Sequence, residues 1–240
     1  MPEVVIKENM KKCLFISVNY PPLDGVGVQR ITKMVKFLSG LGYDITVFTI
    51  PAWSIKRQQD PSMNNDLPQN IKLLRPFYFD YRKIIPGELA KLLKPFERKY
   101  LFPDNYTIWN FFVLRKLKTL LFKQQFDVIY INVPPFSSIA LITKIRELTQ
   151  KKIILNFRDP FSFNNYNILN NNTLKQQRAL ELERTAFAAA DRVIYVTPSH
   201  LERYSELFPE YVSKFHLITN GFEDDDFERI QSVQSNDFFI

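Results

Sequence analysis

The chain has 240 residues, of which 45% are hydrophobic, a length that suits one large domain or two small ones around a well-buried core. Cys13, the only cysteine, lies in an apolar run where we expect it to be buried; an internal disulfide bond is excluded, and a reducing compartment is favoured. No run approaches the roughly 18 apolar residues of a membrane-spanning helix, and the first ten residues lack the apolar core of a signal peptide.

The formal net charge of +7 is concentrated in one part of the chain. Residues 81–125 hold ten basic and three acidic residues, an excess equal to that of the whole chain. Large apolar side chains are interleaved with these basic residues, a mixture that suits an anionic membrane surface. A soluble helix with a solvated basic face is the alternative. We expect no nucleic-acid partner, because no recognised nucleic-acid-binding motif accompanies the charge.

Apolar periodicity predicts seven strands that alternate with helices. The strands are predicted near 13–18, 45–50, 71–75, 127–132, 152–157, 192–197 and 215–219, and the helices near 28–41, 88–100, 107–125, 137–150, 173–190 and 199–208. The strands are nearly continuous apolar runs, as expected for a parallel sheet covered on both faces. The pattern predicts an α/β fold with a doubly wound, mostly parallel, Rossmann-like sheet of about seven strands.

Two of the six glycines flank Val26 between the first predicted strand and the first predicted helix. The first N–H groups of a helix have no internal partner, and glycines let a phosphate approach the bare backbone. We therefore predict a phosphate contact at Gly25, Val26, Gly27 and Val28, with an ordinary strand-to-helix turn as the alternative. The dinucleotide fingerprint is incomplete, because Arg30 stands where a third glycine is required.

The other loops that follow predicted strands are the remaining candidates for a site, since ligands of doubly wound sheets bind at the carboxyl ends of the strands. These loops are rich in Pro, Asn and other polar residues, most clearly at 132–138 and 157–161. A metal site is not predicted, because the two histidines, His200 and His216, have no Cys, His or carboxylate partner at ligand spacing.

Five segments in order resemble the N-terminal half of a GT-B glycosyltransferase of the retaining family-4 (group 1) kind. They are YPPLDGVGVQRITKMVKFLSGLGYDITVFT, FDVIYINVPPFSSIALITKI, ILNFRDPF, LERTAFAAADRVIYVTPSH and ITNGFEDDDF, and they span roughly residues 11 to 227. The resemblance implies two Rossmann-like domains with the active site between them. It also implies an enzyme that transfers a sugar from a nucleotide-sugar to an acceptor with retained configuration, without a metal or other cofactor.

The resemblance also assigns roles to residues of the strand-end loops. Arg158 and Asp159 match a polar pair close to the transferred sugar and are the predicted catalytic residues; a salt bridge that holds the loop is the alternative. The glycine loop matches one that faces the donor diphosphate. The predicted acceptor-side residues are Asn19, Tyr20, Asn132, Pro134, Pro135 and Ser137.

Three further positions match or depart from the family pattern. Glu183 matches a helical glutamate for which a structural role is expected. Asn156 stands where many relatives carry Asp, and Phe161 stands where many carry Trp. These two departures leave the identity of the sugar open.

The resemblance implies that residues 1–228 form an acceptor-side domain and that residues 229–240 begin a linker and a truncated second domain. This chain alone is therefore expected to be inactive. We expect the whole enzyme to be cytoplasmic, peripheral on the inner face of the membrane, and to act on a lipid-linked or polysaccharide acceptor. A non-catalytic binding or adaptor domain of the same fold is the alternative.

Overall fold

The computed structural model describes residues 10–54, 58–64, 66–85, 87–163 and 173–222. Within them, strands and helices alternate as predicted. The strands are β1 (Lys12–Ile16), β2 (Asp44–Phe48), β3 (Lys72–Leu74), β4 (Val128–Val133), β5 (Lys152–Phe157), β6 (Arg192–Tyr195) and β7 (Phe215–Leu217). The helices are α1 (Val26–Gly40), α2 (Gly87–Tyr100), α3 (Thr107–Lys123), α4 (Ser137–Leu148), α5 (Thr173–Ala189) and α6 (Pro198–Leu207).

Short 3₁₀ helices, which periodicity does not predict, lie in the connections at Ala52–Ser54, Pro61–Asn64, Tyr81–Lys83 and Pro209–Lys214. The linker and second domain predicted at 229–240 lie outside the described residues. None of the described helices is long and apolar enough to cross a lipid bilayer.

The strands form one sheet in the order β3-β2-β1-β4-β5-β6-β7, and every neighbouring pair is parallel. The predicted doubly wound α/β fold is confirmed. After β3 the chain returns to the centre of the sheet and pairs β4 with β1, so the winding direction reverses between these two strands. The loops that leave β1 and β4 therefore diverge, and the crevice between them is where such sheets bind ligands.

Separate apolar clusters cover the two faces of the sheet. Leu14 of β1 belongs to the cluster that contains Trp109 of α3, whereas Cys13 and Phe15 belong to the cluster that contains Ile31 of α1. Successive side chains of a strand point to opposite faces, so one strand supplies both clusters. Burial raises the pKa of the Cys13 thiol to about 11, in agreement with its expected place in the core.

Burial in the central strands should dominate the stability of the domain. Ile131 in β4 is fully buried, whereas the ring of Phe122 on α3 is 87% exposed. We expect Ile131→Ala to lower the free energy of unfolding by about 2–5 kcal/mol, because it leaves a cavity in the core. The matched change Phe122→Ala should cost less than about 0.5 kcal/mol. Urea unfolding of both variants checks this, and equal losses would contradict the described core.

Candidate functional site

A chain of buried amide hydrogen bonds connects the carboxyl ends of β1, β4 and β5. Asn156 donates to Asn132 Oδ1 (2.8 Å), and Asn132 donates to the Ser17 hydroxyl (3.3 Å). The Ser17 hydroxyl donates to the Asn19 carbonyl (2.8 Å), and the Asn19 amide donates to the Pro134 carbonyl (3.1 Å). The loops on both sides of the crevice are thus held in a fixed relation, because buried polar groups that lose a partner are costly.

The glycine loop begins α1 with its helix end open to a ligand. Gly25 has φ of 120°, a backbone conformation that L side chains rarely adopt. Among the described residues no side chain caps the helix, and no acidic residue lies in its first turn. Val28 is buried and its N–H donates to the Gly25 carbonyl (2.8 Å), so Val28 supports the turn, whereas Val26 is exposed. Within α1 itself, therefore, no side chain offsets the positive end of the helix dipole.

The guanidinium of Arg158 packs directly against Gly27. A Cβ atom at position 27 would lie 2.2 Å from Arg158 Nη1, so only glycine leaves room for this arginine. Arg158 is held at its backbone by an N–H bond to the Val133 carbonyl (3.1 Å), and Nη2 pairs with Asp159 Oδ2 (3.2 Å). The salt bridge is therefore present, but it occupies only one terminal nitrogen. Nη1 is buried and has no hydrogen-bond acceptor among the described residues.

Arg30 places a second guanidinium near the first, although in the sequence it stands out only as the residue in place of a third glycine. Its terminal nitrogens donate to the carbonyls of Ile218 and Thr219 (both 3.1 Å) and to Asn220 Oδ1 (2.7 Å). Burial lowers the pKa of Arg30, and the positive charge of Arg158 also lowers it. The position of Arg30, one helical turn after Gly27, is the sequence feature that points to a place near the glycine loop.

A groove of about 410 Å³ lies over the exposed face of α1, beside the segment that leaves β7. Arg30 and Val26 line one wall, and Thr219 and Asn220 line the other. A volume of this size is within the range of small-molecule sites. Arg158 does not line this groove, but its charge acts on the nearby Arg30. The two guanidiniums and the N-terminus of α1 together have the chemistry of an anion receptor.

Most of the predicted acceptor-side residues lie inside the protein. Five of the six are buried and Pro134 is partly exposed; the buried ones are Asn19, Tyr20, Asn132, Pro135 and Ser137. In this conformation the buried side chains shape the loops and do not face solvent. Direct acceptor contact at this side of the crevice stays a prediction.

Asp104, which no sequence motif marks, fixes the start of α4. Its Oδ2 accepts the Ser137 N–H (3.0 Å) and its Oδ1 accepts the Tyr106 N–H (2.9 Å). Asn110 also donates to the Ser137 carbonyl (2.6 Å). The connection between α2 and α3 is thereby tied to the loop after β4. Nothing in the sequence pattern around Asp104 marks this long-range contact.

Glu183 on α5 holds the loop that follows Asp159. Its Oε1 accepts the Ser162 N–H (3.1 Å) and the Tyr204 hydroxyl (2.6 Å), and the Tyr204 oxygen accepts the Phe161 N–H (3.1 Å). Glu183 therefore holds the backbone of Ser162 directly and that of Phe161 through Tyr204, which is the structural role expected of it. Burial raises the pKa of its carboxyl to about 7, and hydrogen bonds from Ser162 and Tyr204 oppose that rise.

Neither histidine is part of a metal centre in the described residues. His200 is half-buried at the start of α6, where burial lowers its pKa and the charge of Asp159 acts in the opposite direction. His216 lies exposed on β7. The described parts of the chain contain no group of three or more histidine, cysteine or acidic side chains that could hold a metal ion.

Comparison with known proteins gives a family and a fold. The model of Glycosyltransferase Family 4 matches residues 27–226. No curated protein matches the chain. Among solved structures, the catalytic domain of starch synthase IV from Arabidopsis thaliana, bound to ADP and acarbose, aligns with a TM-score of 0.54 at 10% identity, over 90% of this chain and 53% of its own.

Two further solved structures show the same fold. Arabidopsis thaliana UGT89C1, complexed with UDP-L-rhamnose, aligns with a TM-score of 0.52 at 15% identity, over 89% of this chain and 52% of its own. The UDP-GlcNAc 2-epimerase of Methanocaldococcus jannaschii aligns with a TM-score of 0.50 at 10% identity, over 88% and 46%. The chain spans about half the length of the solved structures that it matches.

The contact between Gly27 and Arg158 predicts a selective effect of a single methyl group. In Gly27→Ala the new Cβ must displace the flexible end of Arg158, so the melting temperature should change by less than about 4 °C, which corresponds to roughly 1 kcal/mol. Affinity for sulfate should fall about fivefold or more, since the displaced guanidinium no longer meets an anion at the helix start. Calorimetry measures both quantities.

Gly40→Ala provides the matched control, because it lies in the same helix and a Cβ there meets nothing within 4 Å. It should leave sulfate affinity unchanged. Equal affinity of the two variants would show that the glycine loop is only a turn.

Proposed function

Because the chain belongs to Glycosyltransferase Family 4, we propose that it forms the acceptor-side half of an enzyme that transfers a sugar from a nucleotide-sugar with retained configuration. The proposed acceptor is lipid-linked or a polysaccharide. The nucleotide-sugar is a substrate in this proposal, and no resident metal or other cofactor is invoked.

The observation that carries the proposal is Nη1 of Arg158, which lies beside the N-terminus of α1 and has no acceptor within the described part of the chain. When the sugar leaves the donor, negative charge develops on the diphosphate, and preorganised donors aimed at that charge lower the barrier. Arg158 is a permanent cation whose planar group of N–H donors suits phosphate oxygens. The N–H groups at Val26 and Gly27 would add the partial positive charge of the helix end.

Before a donor binds, the negative charge of Asp159 offsets part of the positive charge of Arg158. Its carboxylate pairs with Arg158 Nη2 (3.2 Å) and is itself 44% exposed. It therefore orients the guanidinium, whose buried Nη1 would meet a donor when this group moves from its packing against Gly27. We propose that its exposed oxygen contacts a hydroxyl of the transferred sugar, in keeping with the position of the loop at the carboxyl end of β5.

The remaining nucleotide contacts are proposed to come from a second domain. Two of the structural neighbours were solved with a nucleotide or a nucleotide-sugar, ADP in starch synthase IV and UDP-L-rhamnose in UGT89C1, and each is about twice the aligned length. Residues 1–240 alone should therefore bind the diphosphate part weakly and transfer no sugar.

Binding of inorganic pyrophosphate, UDP, ADP and GDP to this chain tests the proposed function. All four should compete for one site, and Arg158→Gln should weaken each by roughly ten- to a hundredfold, the value of one charge-assisted hydrogen bond. Arg203→Gln is the control, since Arg203 is an exposed arginine paired with Glu206 on α6. Equal binding to wild type and Arg158→Gln would contradict the proposed donor site, and absence of any binding would favour the adaptor alternative.

We further propose that α2 rests on the anionic inner face of the cytoplasmic membrane. Leu89, Leu92, Phe96 and Tyr100 recur at helical spacing along α2 and are all exposed. Lys91 and Lys94 lie on the same helix and are exposed as well. A helix with an exposed apolar stripe and basic neighbours suits an interfacial position, where the stripe enters the headgroup region. A lipid-linked acceptor would then be presented at the same surface.

Replacement of Lys91 and Lys94 by Gln tests this docking surface. Each lysine near an anionic leaflet contributes about 1 kcal/mol, so the double variant should bind anionic vesicles roughly thirtyfold more weakly. Lys144→Gln with Lys152→Gln is the matched control, because it removes equal charge at exposed positions outside α2. Sedimentation with phosphatidylserine and phosphatidylcholine vesicles measures the effect. Equal, negligible binding of wild type to both vesicles would leave a solvated helix face as the better account.

A further inference from the structure

Glu183 is a fully buried carboxyl group that the proposed chemistry does not use. Its Oε1 accepts two hydrogen bonds, whereas Oε2 is buried and has no partner within the described ranges. The raised pKa means that the stability this group contributes is fully present below about pH 4.5 and is lost as the pH rises through about 7. Glutamine has the same shape and avoids this loss. The fold alone therefore does not require an acid at this position.

Glu183 is connected to the candidate site through loop 158–163, which is attached to the rest of the fold at both ends. Loop 158–163 is held at its start by the bond from the Arg158 N–H to the Val133 carbonyl. It is held at its end by Glu183 and Tyr204, which accept the N–H groups of Ser162 and Phe161. Arg158 and Asp159 lie between these attachments. A change in the second attachment must therefore be absorbed by the segment that carries the candidate catalytic pair.

Other titratable groups near Glu183 do not change charge near neutral pH. Tyr204 on α6 and Tyr195 on β6 face it, and burial, together with its negative charge, raises the pKa of both phenols far above neutrality. His200 at the start of α6 faces Asp159, and its lowered pKa places its charged form below neutral pH. Glu183 is thus the group of this cluster whose proton is exchanged in the neutral range.

We propose that Glu183 is a positioning residue whose proton controls how loop 158–163 is held, and thereby the affinity of Arg158 for an anion. The ionised carboxylate makes charge-assisted bonds to the Ser162 N–H and the Tyr204 hydroxyl, which are shorter and stronger than those of the neutral acid. The loop is therefore held more firmly at higher pH. Anion affinity then rises with pH, opposite to the trend that a general loss of positive charge produces. The affinity part of this inference rests on the proposed function.

Nuclear magnetic resonance of the ¹⁵N-labelled chain between about pH 5.5 and 8.5 tests the inference, with sulfate as the probe because sulfate does not titrate in this range. In wild type, the amide shifts of Ser162 and Phe161 should follow one midpoint near 7, and those of Arg158 and Asp159 should follow the same midpoint. Sulfate should bind about fivefold more tightly at pH 8 than at pH 6. Glu183→Gln should abolish both effects.

Two further variants keep the test decisive if Glu183→Gln folds poorly. Tyr204→Phe keeps the carboxyl but removes a donor to its ionised form, so the shared midpoint should move upward. His200→Gln should leave the midpoint in place. The inference is overturned if the Arg158 and Asp159 amides do not follow Ser162, or if Glu183→Gln keeps the pH dependence. If wild type binds no sulfate while the shared midpoint is present, the anion site fails and the positioning role of Glu183 stands.

Discussion

The guanidinium of Arg158 fills the space where residue 27 would otherwise carry a side chain, and the candidate site depends on this contact. It places a fixed positive charge at the positive end of a helix, with a second arginine close by. Asp159 offsets only part of this charge. Such an arrangement is unfavourable in an empty protein and favourable around an anion. Arrangements that lower the stability of the empty protein but favour a bound ligand are characteristic of functional sites.

The rest of the fold serves to hold this contact in place. The reversal of winding between β1 and β4 opens the crevice, and the buried amides of Asn156 and Asn132 fix the loops on its two sides. Behind the loop of Arg158, the carboxyl of Glu183 and the hydroxyl of Tyr204 accept its backbone N–H groups. Rigid support by buried polar networks is what a site needs when one guanidinium must meet a charge at a defined position.

The sequence predicts the elements well because their signal is local. Each strand is a short apolar run, and each helix repeats apolar residues on one face, so periodicity locates them without knowledge of their neighbours. The sequence also reveals the glycine loop, since its residues are adjacent in the chain. The sequence does not reveal the reason for Gly27, because the side chain packed against it comes from Arg158 in the loop after β5, far away in sequence. Contacts between loops that are far apart in the sequence produce no periodic pattern of residues.

The same limit explains the other differences. The family resemblance assigns acceptor contacts to Tyr20, Asn132 and Ser137, yet the fold buries all three at or beside the carboxyl ends of β1 and β4. Arg30 and Asp104 make their bonds to segments that no local pattern connects to them. A structural role for Glu183 is expected from the sequence, but the bonds that it accepts from the Ser162 N–H of the loop and from the Tyr204 hydroxyl of α6 are visible only with α5 and α6 in place.

A crystal structure of this chain grown with inorganic pyrophosphate tests the central claim most directly. The account predicts a phosphate oxygen within hydrogen-bond distance, about 2.7–3.2 Å, of Arg158 Nη1, with further oxygens at the N–H groups of Val26 and Gly27. Pyrophosphate bound at another surface, with Arg158 still packed on Gly27 and its Nη1 without an anionic partner, would contradict it.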